Sequence, residues 1–128
     1  MNKFFLTWMI SSVLFIFLSI GCESRPVSQG NDEAQISQGR EVYLAYGCAV
    51  CHGANADGQG ISAIRSTYPP TNFKDPKAYR HGTDQISIQH AIKFGIQEEN
   101  SIMPAFKHIT DEELEMLSQY LVSLQKEN

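Results

Sequence analysis

Cys48-Ala49-Val50-Cys51-His52 places two thiols three positions apart, with an imidazole directly after the second. Several chemistries use such a pair. A thioredoxin-like dithiol works from a βαβ context, and none is visible in this chain. A zinc site needs a fourth ligand, usually from a second Cys/His pair, which is lacking here. A disulfide across so short a loop would constrain little. Covalent attachment of a haem fits best. Thiols at this spacing reach the two vinyl groups on one porphyrin edge and form thioethers, and the adjacent neutral imidazole is then held under the iron as an axial ligand. The motif predicts one covalent haem c, held by Cys48 and Cys51 and ligated by His52.

The rest of the chain suits that expectation. It has 128 residues, 42% of them hydrophobic and 19% charged, which is a one-domain length with an ordinary folded composition. A domain this small has trouble building a core from side chains alone, and a buried porphyrin adds apolar surface on both faces. The haem is therefore expected to be part of the core.

Residues 1–21 have the layout of a signal peptide: Lys3, then an apolar run over 4–20 broken only by Thr7, Ser11, Ser12 and Ser19. The run ends in Leu18-Ser19-Ile20-Gly21-Cys22, which resembles a bacterial lipoprotein signal with Cys22 as the lipidated first residue of the mature chain. The usual leucine three positions before the cysteine is replaced by Ser19, with Leu18 one place further away. Two alternatives stay open. The run is just long enough, at the short edge of roughly 17–25 residues, to remain as a membrane helix, or ordinary cleavage leaves Cys22 as a free thiol, a liability in an oxidising compartment. All three export the remainder of the chain. Lys3 is the only charged residue in 1–21, so the remaining 107 residues carry nine Lys+Arg against 14 Asp+Glu, a net −5. That balance excludes nucleic acid as a partner.

Residues 22–33 hold hardly an apolar side chain and read as a flexible tether, leaving 34–128 as the folded domain. From about 34 to 46, Ile36, Gly39, Tyr43 and Tyr46 recur at helical spacing on one face. A glycine inside a helix costs about 1 kcal/mol against alanine, so close approach by another helix is the expected reason for Gly39. The glycines and turn formers of 53–60 require a loop, with a short helical turn expected near 62–65. Pro69 and Pro70 then hold the backbone extended, and 74–82 carries no clear pattern. Ile88, Ala91, Ile92 and Gly95 predict a helix over 83–94, capped by Thr83 and stopped at Gly95. Thr110 and Glu113 form a capping box ahead of the stripe Leu114, Leu117, Tyr120, Leu121 and Leu124, the clearest helix of the chain. The acids Asp111, Glu112, Glu113 and Glu115 suit its N-terminal dipole. No run of alternating strand residues competes.

Candidates for a sixth iron ligand are Met103, Met116, His81, His90 and His108. Met116 belongs beside the last helix's apolar stripe as a filler, and His90 and His108 suit surface or packing roles better. Met103 stands in Ser101-Ile102-Met103-Pro104-Ala105-Phe106, where the proline prevents helix and an extended loop presents the thioether. Met103 is preferred, with His108 next. Sulfur ligation favours ferrous iron and raises the potential relative to two imidazoles. It also closes both axial positions, which favours an electron carrier over an enzyme.

In their order along residues 34–126, Gly39 and Tyr43, the Cys48–His52 motif followed by Gly53, the Pro-rich loop, Met103-Pro104-Ala105-Phe106 and the closing Tyr120-Leu121 resemble a class I cytochrome c. The resemblance implies an all-α fold around one haem, with the first and last helices crossing and Gly39 and Tyr43 against Tyr120. It also implies a proline carbonyl that accepts from the second nitrogen of His52, which maps to Pro69 or Pro70, with Pro70 preferred because Thr71-Asn72-Phe73 follows it. Arg65 and Tyr79 are candidate partners of the haem propionates. Family members often carry a glycine shortly before the ligand methionine, whereas here Gly95 stands eight positions ahead, implying a longer loop over 96–102.

The expectation is a monomeric, lipid-tethered monohaem cytochrome on the outer face of a bacterial cell membrane or in the periplasm. It would pass electrons between membrane or soluble redox proteins, with a tether reach on the order of 15–20 Å. Two other roles fit the same residues: a cytochrome subunit fixed in a larger oxidoreductase complex, and a haem-based sensor or peroxidase-like protein with an open iron.

Overall fold

The computed structural model describes residues 29–63, 68–98 and 101–125. The signal segment, Cys22, the tether as far as residue 28, and Arg65 lie outside the described residues.

Helix α1, Gln29–Ala45, begins five residues before the expected boundary, so the last residues assigned to the tether are helical. Asp32 and Glu33 near the start of α1 are exposed and suit the N-terminal dipole, and a polar turn needs no buried face once the rest of its helix is packed. Helix α2 is Cys48–His52, a 3-10 turn covers Pro76–Ala78, α3 is Gln85–Phe94, and α4 is Asp111–Leu124. The N-cap of α3 is Asp84, not Thr83: its carboxylate accepts from the Ser87 amide at 3.0 Å and the Ser87 hydroxyl at 2.6 Å. The capping box of α4 is present, with the Glu113 amide donating to Thr110 Oγ1 at 3.2 Å and the Thr110 amide to Glu113 Oε2 at 3.0 Å.

One feature departs from the expected all-helical pattern. Strands β1 (Ile96–Glu98) and β2 (Ser101–Met103) pair antiparallel, with Ile96 opposite Met103 and Gln97 opposite Ile102. Residues 96–98 and 101–103 are thus paired strands where a longer loop was expected. The other elements among the described residues are helical and compatible with a small cytochrome c fold.

Helices α1 and α4 cross at Gly39. A Cβ there would run into the carbonyl of Met116 and stand 2.8 Å from Tyr120 Cβ, so the glycine permits backbone contact. Beside it the rings of Tyr43 and Tyr120 meet edge-on at 5.7 Å. Tyr43, Leu117, Leu121 and Ile109 are almost fully buried and form the centre of the core with Ile88 and Ile92 of α3. Helix α3 is keyed to α4 by polar contacts: Gln85 and Gln89 donate to the buried Ser118 hydroxyl at 3.1 and 3.0 Å and to the Glu115 carboxylate at 2.9 and 2.8 Å.

Candidate functional site

The turn from α1 into α2 is made at Gly47, whose φ of 72° is left-handed and open to glycine without strain. Helix α2 is too short to satisfy its own ends, and the following loop folds back to do so. Gly58, Gly60 and Ser62 amides donate to the carbonyls of His52, Cys51 and Val50 at 2.8, 3.1 and 2.9 Å. A side chain at Gly60 would collide with the Val50 and Cys51 carbonyls, which explains the glycine so close to the motif. The loop is fixed from α1 as well, because the Tyr43 hydroxyl donates to the Gly53 carbonyl at 2.7 Å. Cys48 is half-buried and its thiol is pushed up to about 11 by burial, whereas Cys51 is exposed.

His52 Nδ1 lies 3.0 Å from the carbonyl oxygen of Thr71. A carbonyl only accepts, so Nδ1 carries the proton and Nε2 keeps its lone pair. Burial pushes the His52 pKa below its ordinary value, against the smaller opposing pull of the Thr71 carbonyl, and both features leave a neutral ring ready to bind a metal. Phe73 flanks that ring at 4.5 Å between centroids. The acceptor is therefore Thr71, not Pro70. The Pro70 oxygen stands 2.7 Å from where a Gly58 Cβ would be, so it faces the loop, and the next carbonyl faces His52.

Met103 closes β2 and is half-buried. Its position is held by neighbours on both sides: Gln97 Nε2 donates to its carbonyl at 3.3 Å, and the Phe106 amide donates to the Ile92 carbonyl at 3.0 Å. Gly95, with φ of 72°, lets the end of α3 approach this segment, since a Cβ would stand 2.8 Å from the Ala105 nitrogen. The result is one apolar cleft whose walls include Cys48, His52 and Met103, completed by Tyr43, Phe73, Ile92 and Phe106. The donor set fits a haem: the Cys48 thiol, an imidazole with its Nε2 lone pair kept and a thioether line an apolar cleft, and Cys51, at attachment spacing from Cys48, is exposed and not among the lining residues.

The other candidates are not drawn to this cleft. Met116 contributes its backbone to the helix crossing, and His81 and His90 line a separate groove between α3 and β1, where His81 Nε2 is 3.4 Å from Glu98. His108 is exposed, stacked on Tyr46 at 5.4 Å, and is not among the cleft-lining residues. The Tyr79 hydroxyl donates to the Phe73 carbonyl at 3.0 Å, bracing the wall beside His52. Thr71 and the wall residues Ile109 and Leu117 escaped the sequence reading as parts of the site. Leu117 was visible as a core position, but which core positions face the haem depends on how the helices meet. Among the described residues no group of three or more His, Cys, Asp or Glu is placed to hold a metal ion. No helix among them is long and apolar enough to cross a membrane.

No curated protein and no solved structure matches the chain. A family model does match, over residues 34–121 of the 128, and it is that of a c-type cytochrome domain, which carries covalently bound haem c. A cytochrome fold with a thiol-pair motif, and a family match spanning helices α1 to α4, lead to one assignment: the chain belongs to the family described as cytochrome c oxidase, cbb3-type, subunit III.

Proposed function

We propose that the protein passes single electrons through a haem c held by Cys48 and Cys51, with His52 and Met103 as the two axial ligands. The observation that supports this most is the convergence of Cys48, His52 and Met103, from opposite halves of the chain, on one apolar cleft. When bound, the haem iron supplies the one-electron ferrous/ferric change. The chain's own residues do the rest. Thr71 fixes the tautomer and orientation of His52 through the Nδ1 hydrogen bond, Phe73, Ile92 and Phe106 exclude water, and the Met103 thioether is presented from a strand end tied on both sides. Held by both His52 and Met103, the iron would offer no site for oxygen or peroxide chemistry.

The test is the optical spectrum of the holoprotein, oxidised and reduced, with carbon monoxide added to the reduced form. The expected result is a c-type spectrum with a weak long-wavelength sulfur-to-iron band and no response to carbon monoxide. Met103→His should remain six-coordinate and lose that band, with a markedly lower potential. A prompt carbon monoxide shift in the wild type would overturn closed ligation.

The protein is exported, tethered at the outer face of the cell membrane through Cys22, and shuttles between membrane redox partners. Export is the usual destination of c-type cytochromes, and residues 4–22 supply a suitable signal. The family's description as an oxidase subunit favours a second role, a cytochrome fixed in a larger complex. Purification in mild detergent separates the two, because a stoichiometric complex would rule out the free shuttle.

A further inference from the structure

Tyr46 stands at the junction of the two halves of the site. It is the residue after α1 and two positions before Cys48, so its backbone belongs to the attachment side. Its side chain belongs to the other side. The ring meets Phe106 edge-on at 6.2 Å and stacks on His108 at 5.4 Å, and its hydroxyl donates to Glu113 Oε2 at 2.9 Å. That same carboxylate oxygen receives the Thr110 amide at 3.0 Å and the Thr110 hydroxyl at 2.8 Å, so one acceptor joins the N-cap of α4 to the end of α1. The segment after Met103 is thereby gripped at three points by a single side chain that also lines the cleft.

From this juxtaposition we propose that Tyr46 is a positioning residue for the sixth ligand: by tying Phe106, His108 and Glu113 to the attachment turn, it keeps the Met103 thioether on the iron. The inference rests on Met103 being that ligand. A loop freed of this tie gains conformations in which the sulfur is off the iron, and any exogenous ligand then competes with a weaker opponent. The carboxylate acceptor makes the bond stronger than a neutral pair would be. Glu113 in turn keeps the Tyr46 phenol protonated, raising its pKa above the ordinary value.

The probe is imidazole, titrated into the oxidised holoprotein while the sulfur-to-iron band is followed. Tyr46→Phe keeps the ring contacts and removes only the hydroxyl, and it should bind imidazole about tenfold more tightly than wild type. Glu113→Gln keeps an acceptor but loses the charge, and a smaller rise in the same direction is expected. The pair Tyr46→Phe/Glu113→Gln should bind no more tightly than Tyr46→Phe alone, because both changes act on one bond. Thr110→Ala breaks the helix cap and leaves the Tyr46–Glu113 pair, so it should lower global stability with imidazole affinity within about twofold of wild type. A merely structural role would make Tyr46→Phe and Thr110→Ala alike, and that result overturns the proposal. So does an unchanged affinity in Tyr46→Phe when Met103→Ala raises it strongly. If Met103→Ala leaves both band and affinity unchanged, the ligand assignment itself falls, and this inference with it.

Discussion

Replacing Gly39 with alanine sets two known effects against each other. In an isolated helix the change would stabilise by about 1 kcal/mol. In this fold the added Cβ would overlap the Met116 carbonyl oxygen and lie 2.7 Å from the Met116 carbonyl carbon and 2.8 Å from Tyr120 Cβ. None of these atoms can be cleared by rotating a side chain, so α1 and α4 must part. Overpacking of this kind costs about 1–3 kcal/mol. Because the contact is with backbone, the upper end applies, and a net loss of about 2 kcal/mol is expected after the helical gain. For a domain of this size the loss corresponds to a fall in Tm of roughly 8–16 °C. Thermal unfolding of the holoprotein, followed by far-UV circular dichroism and by the haem absorbance together, measures it. The same parting displaces Tyr43 and Leu117 from the cleft wall, so the two signals should fall together. A Tm equal to or above that of wild type would mean that helix propensity dominates and that the crossing is looser than described.

Three further outcomes are expected. His52→Ala should give no stable holoprotein and a largely unfolded chain, visible by circular dichroism of the exported product, and a folded apo-domain of ordinary stability would contradict a core built on haem. Ser118→Ala removes a fully buried hydroxyl that accepts from Gln85 and Gln89, but both amides keep the Glu115 carboxylate, so the loss in denaturant unfolding should be about 1 kcal/mol; a gain, or a loss beyond about 3 kcal/mol, would show that these bonds are misassigned. Hydrogen bonds from the Thr110 amide, the Thr110 hydroxyl and Tyr46 hold the Glu113 carboxyl below its ordinary pKa. The folded state therefore binds this proton less readily than the unfolded chain, so the contribution is present above the ordinary carboxylate value and is lost as pH falls through the depressed one. Protection of the amides at 110–113, taken against the intrinsic exchange rate at each pH, should fall over that acid interval, and protection that stays the same throughout would refute the role of the carboxylate.

What the sequence determined by itself is local. The attachment motif at Cys48–His52, the capping box at Thr110 and Glu113, and the apolar stripe of α4 lie within a few residues, so periodicity and spacing encode them directly. Gly39 is an intermediate case, since its cost within a helix signalled a close approach that α4 then supplied. The tertiary structure alone decided the rest. Whether Pro70 or Thr71 faces His52 turned on the packing of the loop against Gly58, where the Pro70 oxygen stands. The paired strands β1 and β2 are only three residues long each, too short to show alternation, and their outer ends are flanked by contacts at Gly95 and Phe106. Tyr46 and Glu113 meet 67 positions apart, and nothing in either residue's neighbourhood announces the other. Interactions along one element follow from the geometry of a helix turn, whereas pairings between elements depend on how whole faces pack, which no short stretch of chain contains.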